Sequence, residues 1–133
     1  MIGIVIVAHG GLAAEYLAAM EHVVGVQPGT AAISISQGDD RRSKQMEISS
    51  TVNDIDDGDG VVVVTDLFGG TPSNLAINAC ESGARQVIFG ANLPLLVKLA
   101  KSRHLNVDEA TRIACESGHK YMSSFVPCKR DGE

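Results

Sequence analysis

His9 and Asp66 are the two residues of this chain best placed to do chemistry together. His9 ends the apolar run Ile2-Gly3-Ile4-Val5-Ile6-Val7-Ala8 and is followed by Gly10-Gly11. Asp66 ends Val61-Val62-Val63-Val64-Thr65 and is followed by Leu67-Phe68-Gly69-Gly70-Thr71-Pro72. If the two runs are neighbouring parallel strands, an imidazole and a carboxylate meet at one sheet edge, as a nucleophile or base with its orienter. A carboxylate that accepts the proton of one ring nitrogen fixes the tautomer and offsets the positive charge that develops when the other nitrogen attacks an electrophile. For a phosphoryl electrophile the candidate oxygen-binding groups are the N–H groups of Gly10 and Gly11, and a helix start at Gly70-Thr71 with the Thr71 hydroxyl beside it. Taken singly, each of these has an ordinary structural role: a bonded strand-end histidine, a turn aspartate, a helix cap. Their conjunction points to chemistry.

The remaining candidates are weaker. His22, His104 and His119 have no glycine-rich cradle beside them and read as surface or boundary residues. Arg41-Arg42-Ser43-Lys44 reads as a solvated helix start. There is no Walker loop, no G-x-G-x-x-G and no carboxylate-rich metal set, so no nucleotide, metal or other cofactor is expected. Aspartyl phosphorylation at Asp66 would want several acidic residues around a magnesium ion, where this chain offers His-Gly-Gly.

The elements that must hold this pair alternate between strand and helix. After the first strand, Leu12, Tyr16, Met20 and Val23 recur at helical spacing, giving a helix over Leu12 to Val24 closed by Gly25. Thr30 to Ser36 reads as a second strand, Gln37-Gly38-Asp39-Asp40 as a loop with a capping aspartate, and Arg41 to Ile55 as a polar helix. Four consecutive valines, Val61 to Val64, belong to a strand buried on both faces. Thr71 is the expected N-cap and Pro72 the first residue of a helix running to about Glu81. A strand over Gln86 to Gly90, a helix over Leu95 to Ser102 and a last helix from Asp108 to Gly118 follow, with Ser123 to Pro127 a final strand or docked tail. The tetrapeptide Cys-Glu-Ser-Gly occurs at Cys80 and again at Cys115, and a helix end capped by glycine accounts for both copies.

This order predicts an α/β fold: an open, mostly parallel sheet with helices on both faces and ligands bound outside the carboxyl ends of the strands. With the first strand at the switch point, between the second and third, His9 and Asp66 become neighbours. The 133 residues, 44% apolar, suit one domain over 1–133. An aromatic content of 4% without Trp and a net charge of −5 argue against nucleic-acid binding. The first apolar run is too short to span a bilayer and lacks a basic leader, so no membrane insertion is expected. Cys80, Cys115 and Cys128 form no C-x-x-C pair and read as reduced thiols, which with the rest places the protein in the cytoplasm.

Four blocks in order carry a resemblance over nearly all of the chain: the opening strand into Ala8-His9-Gly10; Gln37-Gly38-Asp39; Asp66-Leu67-Phe68-Gly69-Gly70-Thr71-Pro72-Ser73-Asn74; and Gly90-Ala91-Asn92-Leu93-Pro94-Leu95-Leu96-Val97. In these the chain resembles the enzyme IIA domains of the mannose class in the bacterial phosphoenolpyruvate-dependent sugar phosphotransferase system. The resemblance implies that His9 takes a phosphoryl group from the phosphohistidine of the carrier HPr and passes it to an enzyme IIB protein. Asp66 would orient His9, and Thr71 would help hold the phosphoryl oxygens. It also implies a homodimer in which a C-terminal strand can be exchanged, and a separate IIB protein, since none is attached here. Leu67-Phe68 stands where the family often has a Trp or another bulky residue. Two alternatives accompany this expectation: a regulatory module read out through its phosphorylation state without sugar import, and a phosphoryl donor to a dihydroxyacetone kinase.

Overall fold

In a computed structural model, which describes residues 1–128, nine elements follow one another in the anticipated order, strand and helix alternating until two helices close the series. They are β1 (Gly3–His9), α1 (Leu12–Val24), β2 (Thr30–Ile35), α2 (Arg41–Ile55), β3 (Val61–Thr65), α3 (Gly70–Ala79), β4 (Arg85–Phe89), α4 (Leu93–Lys101) and α5 (Val107–Lys120). The four strands are all parallel and lie in the order β2-β1-β3-β4, so β1 sits at the switch point between β2 and β3.

Alternation along the central strands divides the core into two layers. Ile4, Ile6 and Ala8 of β1 and Val62 and Val64 of β3 pack with α1, α4 and α5. Val5 and Val7 of β1 and Val61 and Val63 of β3 pack with α2 and α3. Both strands therefore consist of consecutive apolar residues, because each face is covered by helices. No helix of the described residues is long and apolar enough to cross a membrane.

At the amino end of the sheet, away from His9, the buried Arg103 ties the strand starts together. Its Nε donates to Ile2 O at 2.6 Å, while Nη1 and Nη2 donate to Gln27 Oε1 and Gly29 O, each at 3.2 Å. Two of the three carbonyl-type partners precede β1 and β2, so one guanidinium fixes where both strands begin.

Three expectations are corrected. First, α3 opens at Gly70 with Gly69 at the N-cap and no side-chain cap, so Thr71 does not cap it. Gly69 and Gly70 adopt φ of 93° and 80°, turning the chain off β3. Pro72 is then the third helical residue, still within the turn whose N–H groups have no intrahelical acceptor. Second, Gly118 caps nothing: α5 continues to Lys120, and a Cβ on Gly118 would come within 3.1 Å of Leu95 Cβ. That glycine admits α4 against α5, and Gly83 lies in a loop beyond the end of α3, so the two Cys-Glu-Ser-Gly copies share no structural role. Third, residues 123–127 form no strand, and the sheet of the described residues keeps four. An edge strand needs a ladder partner, and no backbone bond joins this stretch to β2 or β4 among the described residues.

Candidate functional site

The registers Ile6↔Val64 and Val7↔Thr65 align β1 and β3 until β3 stops at Thr65, two residues before β1 does. Beyond that point the carboxylate of Asp66 replaces the ladder. Its Oδ2 accepts the backbone N–H of His9 at 3.0 Å and lies 2.8 Å from the ring Nδ1 of the same residue. The Oδ1 accepts the N–H of Leu67 at 3.1 Å. A backbone amide left without a strand partner is thus satisfied by the group that also holds the imidazole.

Burial pushes the Asp66 carboxyl up, but the His9 backbone N–H, then the His9 ring and the further backbone bond, outweigh it and hold the group below the usual aspartate value. An ionised carboxylate only accepts, so the neutral ring carries its proton on Nδ1 and its lone pair on Nε2. The Asp66 side chain is 7% exposed and that of His9 is 50% exposed. The charge is therefore sheltered, and the open nitrogen belongs to a ring that a partner can reach.

The turn after His9 is held from the other side, by β2. Gly10 takes φ of 55°, its N–H donates to Ile35 O at 2.9 Å, and its carbonyl accepts the Ser34 hydroxyl at 2.5 Å. The Gly10 N–H expected for an incoming anion is thus already committed to the sheet. The Gly11 N–H makes no hydrogen bond among the described residues and is the donor this turn can offer. Gly70 and Thr71 lie at the start of α3, on the same carboxyl edge of the sheet, and no hydrogen bond links Thr71 to His9 or Asp66. The structure brings His9 and Asp66 into direct contact and places the other four candidates at the ends of flanking elements.

The remaining sequence blocks support this edge. Asp39 accepts the Ser36 N–H at 2.7 Å and closes the loop after β2, while Asp40 caps α2 through the Ser43 N–H at 3.0 Å. Ala91 N–H donates to Thr65 O at 3.0 Å, and Asn92 caps α4 through the Leu95 N–H at 3.0 Å. Leu67 is half-exposed, and Phe68, 75% exposed, stands edge-on against Phe89 at a centroid distance of 5.0 Å, forming an apolar projection next to Asp66. Ser34 was not evident from the sequence: a lone serine between Ile33 and Ile35 signals only an outward-facing strand position, and the Ala8↔Ser34 register is what brings it to Gly10.

The cleft of about 370 Å³ lined by Val23, Leu93, Val97 and Tyr121 includes neither His9 nor Asp66. At the candidate site the His9 ring is half exposed and Phe68 stands out next to Asp66, so the edge is accessible from outside.

The family model for the IIA component of the fructose phosphotransferase system, of the EIIA-man family, matches residues 3–114. The chain belongs to the EIIA-man family. It is 29% identical over 127 residues to the mannose-specific EIIAB component of Escherichia coli K12, a match covering 93% of this chain and 39% of that protein. The chain thus spans about two-fifths of the length of the mannose-specific EIIAB relatives it matches. Among solved structures, a phosphotransferase-system EIIA component from Streptococcus agalactiae superposes with a TM-score of 0.85 at 28% identity, covering 96% of this chain and all of that one. The mannose/sorbose-specific IIA subunit from Enterococcus faecalis gives 0.84 at 26%, covering 97% and 98%. EIIA-man membership places the chain among the mannose-class IIA components of the phosphotransferase system.

Proposed function

We propose that this chain carries a phosphoryl group on His9, accepting it from phospho-HPr in the cytoplasm and passing it to an enzyme IIB protein or domain during sugar uptake. The observation that carries this reading is the bond pattern of His9: Nδ1 is engaged by Asp66 at 2.8 Å, while Nε2 belongs to a half-exposed ring. The Nε2 lone pair attacks phosphorus in line with the donor's P–N bond. That bond breaks, its electron pair returns to the donor's ring nitrogen, and Asp66 offsets the imidazolium charge left on His9. The Gly11 N–H, the first turn of α3 at Gly70 and the Thr71 hydroxyl are the groups we assign to the phosphoryl oxygens. Donor and acceptor are both protein side chains, so positioning and fixed donors lower the barrier and the step requires no nucleotide or metal.

The exposed Leu67 and Phe68 beside Asp66 favour a protein as the partner, since such an apolar projection gives a docking surface at the reacting group. A homodimer is part of the same reading. Tyr121, Met122, Phe125 and Val126 are all exposed beyond α5, with Phe125 at 84%, which is costly surface for a lone chain and suitable surface for a second copy.

The deciding experiment is intact-protein mass before and after incubation with phosphoenolpyruvate, enzyme I and HPr, on this chain and on His9→Ala. The expected result is one acid-labile phosphoryl group on the parent and none on the variant. A folded parent that takes none from charged HPr overturns the reading, and label that persists in His9→Ala moves the carrier to another residue.

A further inference from the structure

The hydrogen bond from Ser34 to the Gly10 carbonyl acts on the same peptide unit that carries the Gly11 N–H. We propose that Ser34 is a positioning residue for phosphoryl transfer: by holding the Gly10 carbonyl on β2, its hydroxyl aims and strengthens the Gly11 N–H as a donor to the phosphoryl group on His9. The inference rests on the phosphocarrier reading and adds to it a residue from a third strand.

The argument begins with the peptide plane. A trans peptide points its C=O and N–H in opposite directions, and no peptide bond of the described residues is cis. The Gly10 carbonyl is drawn toward β2 by the Ser34 hydroxyl at 2.5 Å. The Gly11 N–H of the same peptide therefore points away from the Ser34 hydroxyl. Hydrogen bonding at the oxygen of an amide also polarises its N–H, so the same contact that aims the donor makes it stronger.

Neighbouring bonds leave that peptide little other support. The Gly10 N–H is fixed by Ile35 O at 2.9 Å, and the Gly11 carbonyl accepts the Glu15 N–H at 3.2 Å within the first turn of α1. The peptide between these two anchors has one bond at its oxygen, from Ser34, and its N–H is open. Gly10 holds φ of 55° although a Cβ there would meet nothing within 4 Å. The glycine thus serves the backbone direction of the turn, and Ser34 fixes the rotation of the peptide that follows. Ser34 is exposed and belongs to neither core cluster, so removing its hydroxyl opens no cavity.

The test compares the parent with Ser34→Ala and Ser34→Thr, each charged by phospho-HPr. We expect Ser34→Ala to lower kcat for phosphorylation of His9 by about fivefold, with KM for phospho-HPr and Tm nearly unchanged, and Ser34→Thr to restore the rate. In 15N-labelled protein, the downfield movement of the Gly11 amide proton on phosphorylation should shrink in Ser34→Ala and return in Ser34→Thr. Parent-like kcat in Ser34→Ala, an unaltered Gly11 response, or a loss that Ser34→Thr does not restore overturns the role of Ser34 while leaving His9 as the carrier. A parent chain that takes no phosphoryl group at all removes the phosphocarrier reading, and Ser34's part in it falls with it.

Discussion

Asp66 does two things with one carboxylate, ending the β1–β3 ladder and selecting the tautomer of His9, and in the proposed transfer it has a third, offsetting the positive charge of the attacking ring. Asp66→Asn separates them. Both His9 contacts fall on Oδ2 and Oδ1 accepts the Leu67 N–H, so either orientation of the amide sets its NH2 against a backbone N–H. With nitrogen at the Oδ2 place it donates to Nδ1 and drives the ring proton to Nε2, and in either orientation the negative charge is gone. We expect a folded protein whose phosphorylation by phospho-HPr is slower by roughly a hundredfold or more, measured by quenched-flow mass analysis. The acid limb of stability should change with it. Because Asp66 titrates lower in the folded chain than in the unfolded one, its contribution is present above the ordinary aspartate pKa of about 3.9 and is lost as pH falls through the folded value. The Tm gap between parent and Asp66→Asn should therefore be widest near neutrality and close as pH falls below that of an ordinary aspartate. At this scale the His9 and Asp66 pair was legible, because both residues interrupt apolar runs and stand beside glycines. Ser34 was not, because its contact depends on strand register, and the commitment of the Gly10 N–H to Ile35 O was hidden for the same reason.

Among the elements, those with internal periodicity or sharp ends were read closely. α1 is observed over Leu12–Val24, α2 over Arg41–Ile55 and β3 over Val61–Thr65, each with the limits expected from its residues. Two misread limits fall where a glycine has two possible uses, while α4 starts two residues earlier than expected, at Leu93, because Asn92 caps it. Gly70 begins α3 instead of preceding it, and Gly118 packs within α5 instead of ending it; sequence gives the glycine but not the neighbour, Leu95, that decides its use. Gly60 offers a test of such a decision. It holds φ of 94° at the entry to β3, and a Cβ there would run into the backbone carbonyl of Ala84, which itself accepts the Val61 N–H at 3.1 Å. Left-handed strain and the clash act together, so Gly60→Ala should cost about 3 kcal/mol and lower Tm by roughly 10 °C. A scanning-calorimetry Tm within 2 °C or so of the parent would mean that the β3 to β4 entry relaxes far more readily than its geometry implies.

Over the whole molecule, the parallel sheet and its helical layers were implied by the alternation of elements; the strand order was left conditional by the residues and came with the family resemblance, and the fate of the C-terminal segment was not legible. Ser123 to Pro127 alternate too weakly to define a strand, and whether they pair depends on a surface outside the segment. If that surface is a second copy, a chain ending at Lys120 should sediment as a monomer at concentrations where the parent is a dimer, with unchanged far-ultraviolet circular dichroism. Equal masses for both would remove the tail from the association. The site itself imposes a traffic rule on the molecule. Asp66 occupies one nitrogen of His9, so under the proposed function cargo would arrive and leave through the other, and in-line geometry would give donor and acceptor the same lane. The two partners must take turns. Uncharged HPr in excess should then slow delivery to the acceptor, and excess acceptor should slow loading, giving double-reciprocal plots with parallel lines and mutual blockade at high concentration of either protein. In a cell, the fraction of time His9 stands unoccupied would thus be set by how many partners crowd one sheet edge as much as by the chemistry that happens there.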